Sequence, residues 1–242
     1  MSRSLAAALL VLLAATAARA ATVDPNPIRV SALYHGTMVR VWGNTDPGSA
    51  VIVTITGSNT EEKFNRKGRI GPLWANLGKL TVSGVPRLHL IAGNAQAVAN
   101  PTLVERYLLD LGALARQARI TPAGAEAAAM QAEYVKLKKS KGIFAELDNG
   151  VRMDGTAFEA KIPWPDMAPP GEYRVGVFHL HPDGTVRVES TQLAVELVGF
   201  PRFVDHMAFK RGALYGLLSV IVALSVGFLM GLVFKRKGAA GH

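Results

Sequence analysis

Cysteine is absent from all 242 residues, which excludes disulfide staples, thiolate metal sites and a cysteine nucleophile together. Acidic residues are scarce beside basic ones, 18 against 27, so the chain carries a formal charge of +9. The motifs that announce common enzymes are also missing. There is no Gly-x-Ser-x-Gly elbow, no His-Glu-x-x-His and no phosphate-binding Gly-x4-Gly-Lys-Ser/Thr. Gly71 to Gly78-Lys79 has the wrong spacing and lacks the following hydroxyl. No pair of carboxylates is set by spacing for acid–base work, and the expectation is a non-catalytic protein without a cofactor.

What is abundant is apolar sequence, 49% of the chain, and it is unevenly placed. Arg3, the uncharged run Leu5–Ala15 and Ala18-Arg19-Ala20 have the three parts of a secretory signal, read as residues 1–20. That run is too short to cross a bilayer, which takes about 20 residues. Gly212–Phe234 carries no charge and is long enough to span. Lys210 and Arg211 precede it and Lys235, Arg236 and Lys237 follow it, as topology anchors. An export signal followed by a stop-transfer segment predicts a bacterial inner-membrane protein. Its bulk is expected in the periplasm and residues 235–242 in the cytoplasm.

The basic excess belongs to these end segments. Seven of the 27 basic residues lie in the signal or flank the span, which leaves 20 against all 18 acids in the exported part. A nucleic-acid footprint is therefore not expected.

Between the ends, residues 21–100 read as a first β region. Ile28–Tyr34, Thr37–Trp42 and Ala50–Thr56 are strand-like, and Asn44-Thr-Asp-Pro-Gly48 is a turn cluster. Glu61–Arg66, Lys79–Val82 and Arg87–Ile91 read as further short strands. Residues 101–141 change to helical spacing, with Leu103, Tyr107, Leu111 and Leu114 on one stripe. Thr121 is expected to cap a second helix reaching Leu137. The lysines 136, 138, 139 and 141 cluster where cations favour a helix C-terminus.

Strands return in a second β region, 142–209, with Phe158–Trp164, Glu172–Leu180 and Thr185–Val198. Pro170-Gly-Glu-Tyr173 resembles the strand start of immunoglobulin-like sandwiches, in which the tyrosine pins one end. The expected fold is mainly β, an immunoglobulin-like β-sandwich with an inserted helical hairpin and one C-terminal transmembrane helix at 210–234. Two separate β lobes are the other arrangement the pattern allows.

Two features suggest places of contact. His179 and His181 alternate onto one strand face, a spacing that can ligate copper or zinc. Within the span, Gly212, Gly216, Ser219, Ala223, Gly227 and Gly231 recur at steps of three or four. Such a stripe lets another helix approach closely, as in a homodimer or beside a polytopic permease.

The order of short motifs resembles the alphaproteobacterial-type family of putative transmembrane proteins. The resemblance is carried by Ala32-Leu-Tyr-His-Gly36 opening into Val39-Arg-Val-Trp-Gly43, and by Gly71-Pro-Leu-Trp74. It continues in Pro170-Gly-Glu-Tyr-Arg-Val175 with Asp183-Gly184, Val198-Gly-Phe200, Leu214-Tyr-Gly216 and Phe234-Lys-Arg236. It implies a signal peptide, an exported β-rich region and one C-terminal span, with a permease as expected neighbour. It implies no reaction and no catalytic residue.

Overall fold

The computed structural model describes residues 21–93, 98, 100–123 and 127–238. The signal peptide read at residues 1–20 lies outside them. The chain divides into two compact units, one of residues up to Ile28 with His35–Val195, the other of Arg29–Tyr34 with Glu196 onward.

The strands of the first unit follow from β-branched alternation. One antiparallel sheet has the order β1 (Thr22–Asp24), β3 (Thr37–Asn44), β11 (Ala157–Trp164), β10 (Val151–Asp154). A second sheet runs β13 (Val186–Leu197), β12 (Gly171–Leu180), β4 (Ala50–Thr56), β7 (His89–Ala92), β9 (Phe144–Leu147). Only its β7–β9 pair is parallel. Strands from both sides of the helical region thus interleave in both sheets, forming one sandwich rather than two lobes.

The inner faces carry Val39, Val41, Phe158, Ala160 and Ile162 from one sheet and Val51, Val53, Ile55, Val175, Val177 and Leu193 from the other, all buried. Ring pairs cross between the sheets: Trp164 meets Tyr173 edge-on at 4.8 Å and Phe158 meets His179 at 5.9 Å. Each such aromatic burial stabilises by roughly 2–3 kcal/mol. β4 is buried on its outer face too, at Ile52 and Thr54.

The Tyr173 hydroxyl donates to the Pro169 carbonyl, so the tyrosine pins the start of β12. The Arg87 guanidinium lies over its ring, 4.9 Å from the centroid. A side chain at Gly57 would come within 2.8 Å of Arg87 Cγ, and one at Gly171, where φ is +136°, would strike the guanidinium. Gly57 thus makes room for the Arg87 stem and the Tyr173 ring, while Gly171 is favoured above all by its positive φ.

Three expectations are corrected. The short strands read around residues 61–82 are instead one long hairpin, β5 (Asn59–Ile70) and β6 (Leu73–Pro86). It turns at Gly71-Pro72, with Gly71 at φ +61°. Second, residues 101–141 are not a plain helical hairpin. They form α1 (Pro101–Tyr107), α2 (Leu111–Gln117), the strand β8 (Arg119–Thr121) and α3 (Ala127–Ser140). Thr121 caps no helix; it pairs with Thr81 at the end of β8, where Ile120 buries its side chain against β6. α1 and α2 are separate because Leu108 is left-handed (φ 53°) and Asp110 caps the second helix by accepting from Ala113 N. Glu146 adds a second acceptor there, 2.6 Å from Leu111 N.

Third, the second β region does not continue to 209. In the second unit, Val198 N donates at 2.9 Å to the carbonyl of Val30, the last residue of β2 (Ile28–Val30). Residues beyond form the helix α4 (Phe200–Lys210), with Pro201 in its first turn and Phe200, Phe203, Val204 and Met207 at helical spacing. Arg211 interrupts the helix at φ −137°, and α5 (Gly212–Gly238) follows.

Candidate functional site

A cleft of about 980 Å³ opens on the outer face of the second sheet. Register builds its floor: Gly176 on β12 stands between Thr54 on β4 and Ser190 on β13. One pair further on, Arg174 stands between Thr56 and Gln192. Gly176 matters because a Cβ there would lie 3.0 Å from both Thr54 Oγ1 and the Phe178 ring. The wall is α1, whose Tyr107 ring stacks obliquely on Phe178 at 5.2 Å while Arg106 lies over the Tyr107 ring. Arg106, Arg174 and Glu172 bring charge to a lining that is otherwise a mixture of hydroxyl, amide and apolar groups. The volume suits a small organic molecule.

His89 holds the wall in place. It is buried, and its Nε2 lies 2.8 Å from the Leu108 carbonyl. A carbonyl only accepts, so Nε2 carries the proton and Nδ1 is left to accept from Thr56 Oγ1 at 3.0 Å. Burial lowers the His89 pKa, and the bond to Leu108 opposes that in part. The ring is neutral near pH 7, with both nitrogens engaged. It is a structural bracket, invisible in sequence because its partners lie 33 and 19 residues away.

His179 and His181 do meet at one corner of the sandwich. His179 is fully buried, with Nδ1 and Thr45 Oγ1 sharing a hydrogen bond of 2.9 Å. Its Nε2 lies 3.4 Å from Glu189 Oε1 without forming a hydrogen bond. His181 shares a bond with Ser49 Oγ at 3.1 Å and lies 3.7 Å from Asp46. Arg187, the cross-strand neighbour of His179, reaches Glu189 at 3.4 Å and Asp46 at 3.8 Å. Desolvation first, then the Arg187 charge, lowers the His179 pKa, against opposing pulls from Glu189 and Asp46. The guanidinium thus supplies the positive charge that a metal would bring. Among the described residues no group of three or more His, Cys, Asp or Glu is arranged to hold a metal ion.

The lysine cluster of α3 is partly spent on packing. Lys138 pairs with Glu62 of β5, and Lys136 lies 3.7 Å from Glu133.

In α5, Gly212–Leu232 is long and apolar enough to cross a membrane, and none of it is buried by the rest of the chain. Its 21 residues extend about 31 Å, close to the thickness of a bilayer core. Gly212, Gly216, Ser219, Ala223, Gly227 and Gly231 fall within about a third of the helix circumference at 3.6 residues per turn. Apart from the adjoining residues and backbone of α5 itself, no atom of the described residues comes within 4 Å of a Cβ built at any of the four glycines. Ser219 offers only bulk, since its hydroxyl donates to Tyr215 O at 2.8 Å. Lys210 and Arg211 stand at the α4–α5 junction, and Lys235, Arg236 and Lys237 fall in the last turns of α5.

Among the described residues, a β-rich unit is followed by one helix that is long and apolar enough to cross a membrane. The family described as Putative transmembrane protein (Alph_Pro_TM) matches residues 20–236, and the chain belongs to it. No curated protein and no solved structure matches the chain.

Proposed function

We propose that the protein is a non-catalytic accessory or interaction subunit of an envelope or transporter complex. It would be anchored in the bacterial inner membrane, with its sandwich in the periplasm and its C-terminus in the cytoplasm. The observation that carries this reading is the α5 stripe, where four glycines meet no other element among the described residues. Small residues on a spanning helix let a second helix approach to backbone contact. A polytopic permease or a second copy is the partner such a surface suits.

In-cell crosslinking followed by affinity purification from native membranes tests it. A stoichiometric partner that is lost when Gly216, Gly227 and Gly231 are all changed to leucine supports the proposal. Association that survives all three changes overturns it.

The cleft over Gly176 favours a second reading, a membrane-tethered module that binds a small polar ligand. Calorimetry on the full chain in nanodiscs separates the two. A ligand whose binding is lost in Gly176→Leu, with the membrane partner retained, would favour the second reading. Titration with Cu²⁺ and Zn²⁺ checks the His179–His181 corner, where only weak histidine affinity is expected.

A further inference from the structure

We propose that α4 is an interfacial helix, lying along the outer membrane surface with its Phe200–Phe203–Met207 side among lipid. The proposal rests on reading α5 as the span. Phe200, Phe203 and Phe209 are 70%, 57% and 85% exposed, and a cluster of uncovered apolar side chains marks a surface of interaction. Two of them are ordered with Met207: Phe200, Phe203 and Met207 follow at steps of three and four and so share one side. Arg202, Asp205 and His206 occupy the opposite side, which Phe209 joins only in the last turn, next to the span.

Continuity with the span selects lipid as the occupant. Only Arg211 separates α4 from α5, so no residue of α4 lies far along the chain from the bilayer boundary. The break at Arg211 lets α4 leave the axis of the span. Phe209 stands at that boundary, the level at which aromatic side chains gather. Arg202, Lys210 and Arg211 against the single acid Asp205 give α4 and its junction a positive balance suited to anionic headgroups. A helix of this kind sinks its apolar side about 5–10 Å into the headgroup boundary.

The absence of cysteine makes the test direct. Single cysteines are placed in the full chain at Phe200, Phe203 and Met207, then at Arg202, Asp205 and His206, with Leu224→Cys as a mid-span control. Each is spin-labelled and reconstituted in phosphatidylethanolamine–phosphatidylglycerol vesicles. The expected result is a helical alternation. The first three labels are exposed to oxygen and to lipid-borne quencher but severalfold less to a water-soluble nickel chelate, and the second three show the reverse.

Equal access of nickel to all six positions, with Leu224 deep in lipid, overturns the proposal while leaving the span intact. Protection of the first three from both nickel and lipid quencher also overturns it, since protein would then cover that side. A water-exposed Leu224 would instead remove the span, and the proposal with it.

Discussion

His89 donates from Nε2 to the carbonyl of Leu108, which at φ 53° is the one left-handed non-glycine residue among the described residues. A buried strand residue thereby holds a helix end in a conformation that its own side chain disfavours by about 1–2 kcal/mol. That turn presents Tyr107 and Arg106 to the cleft, so the shape of the cleft depends on an imidazole beneath it.

His89→Ala removes both ring contacts and leaves the Leu108 carbonyl without its partner. The expected loss of stability is about 1–3 kcal/mol from the unmet hydrogen bond, with a further cost from the cavity. Urea denaturation of the variant measures it; an unchanged midpoint would show that the bracket is dispensable.

Burial holds both His89 and His179 below the ordinary histidine pKa. In the unfolded chain each titrates near about 6.5. Below that pH the unfolded state takes up protons that the folded state does not, so folding is weakened on acidification. The stabilisation is fully present above pH 6.5 and is lost progressively below it, until the folded pKa values are reached. The slope limit is about 1.4 kcal/mol per pH unit for each histidine. Denaturation series between pH 7.5 and 5 are expected to show the decline, and His179→Gln to flatten part of it. A wild-type stability independent of pH over that range contradicts the assignment.

Gly171→Ala must displace the Arg87 guanidinium and also adopt φ +136°. Strain of this kind costs about 1–3 kcal/mol. Tyr173→Phe, which only removes the bond to Pro169, is expected to cost less, about 0.5–1.5 kcal/mol. Thermal melts of the two variants compare the effects, and the reverse order would mean that Arg87 moves aside freely.

Glu146→Ala removes the second acceptor from the start of α2 while Asp110 remains. The loss expected for a capping contact is about 1 kcal/mol. Hydrogen exchange at Leu111 is expected to quicken, because that amide loses its partner; unchanged exchange would place its protection elsewhere.

Local pattern carried much of the fold. The β-branched run Ala50–Thr56 forms β4 over those same residues, and Tyr173 pins β12 as its Pro-Gly-x-Tyr context implies. The break between α1 and α2 was missed, because Leu103, Tyr107, Leu111 and Leu114 read as one stripe; Asp110 before Leu111 was the capping signal that could have shown it. The amphipathic spacing of Phe200, Phe203 and Met207 could have separated α4 from the preceding strand. The strand-like character of Thr185–Val198 obscured it.

The candidate site was far less legible. His179 and His181 were visible as an alternating pair, but Arg187 gains its meaning from cross-strand register. The cleft depends on Gly176 falling between Thr54 and Ser190, residues from strands far apart in the chain.

The sequence alone determined what depends on local free energy: the long apolar helix that water rejects, the basic residues beside it, and the strands and turns that backbone preference favours. Tertiary structure alone decided which strands pair and what their outer faces gather. Alternation states which side of a strand is apolar but not which neighbour it will meet. That choice is made only when β3 joins β11 and β4 joins β12 across more than a hundred residues, where collective burial outweighs any local signal.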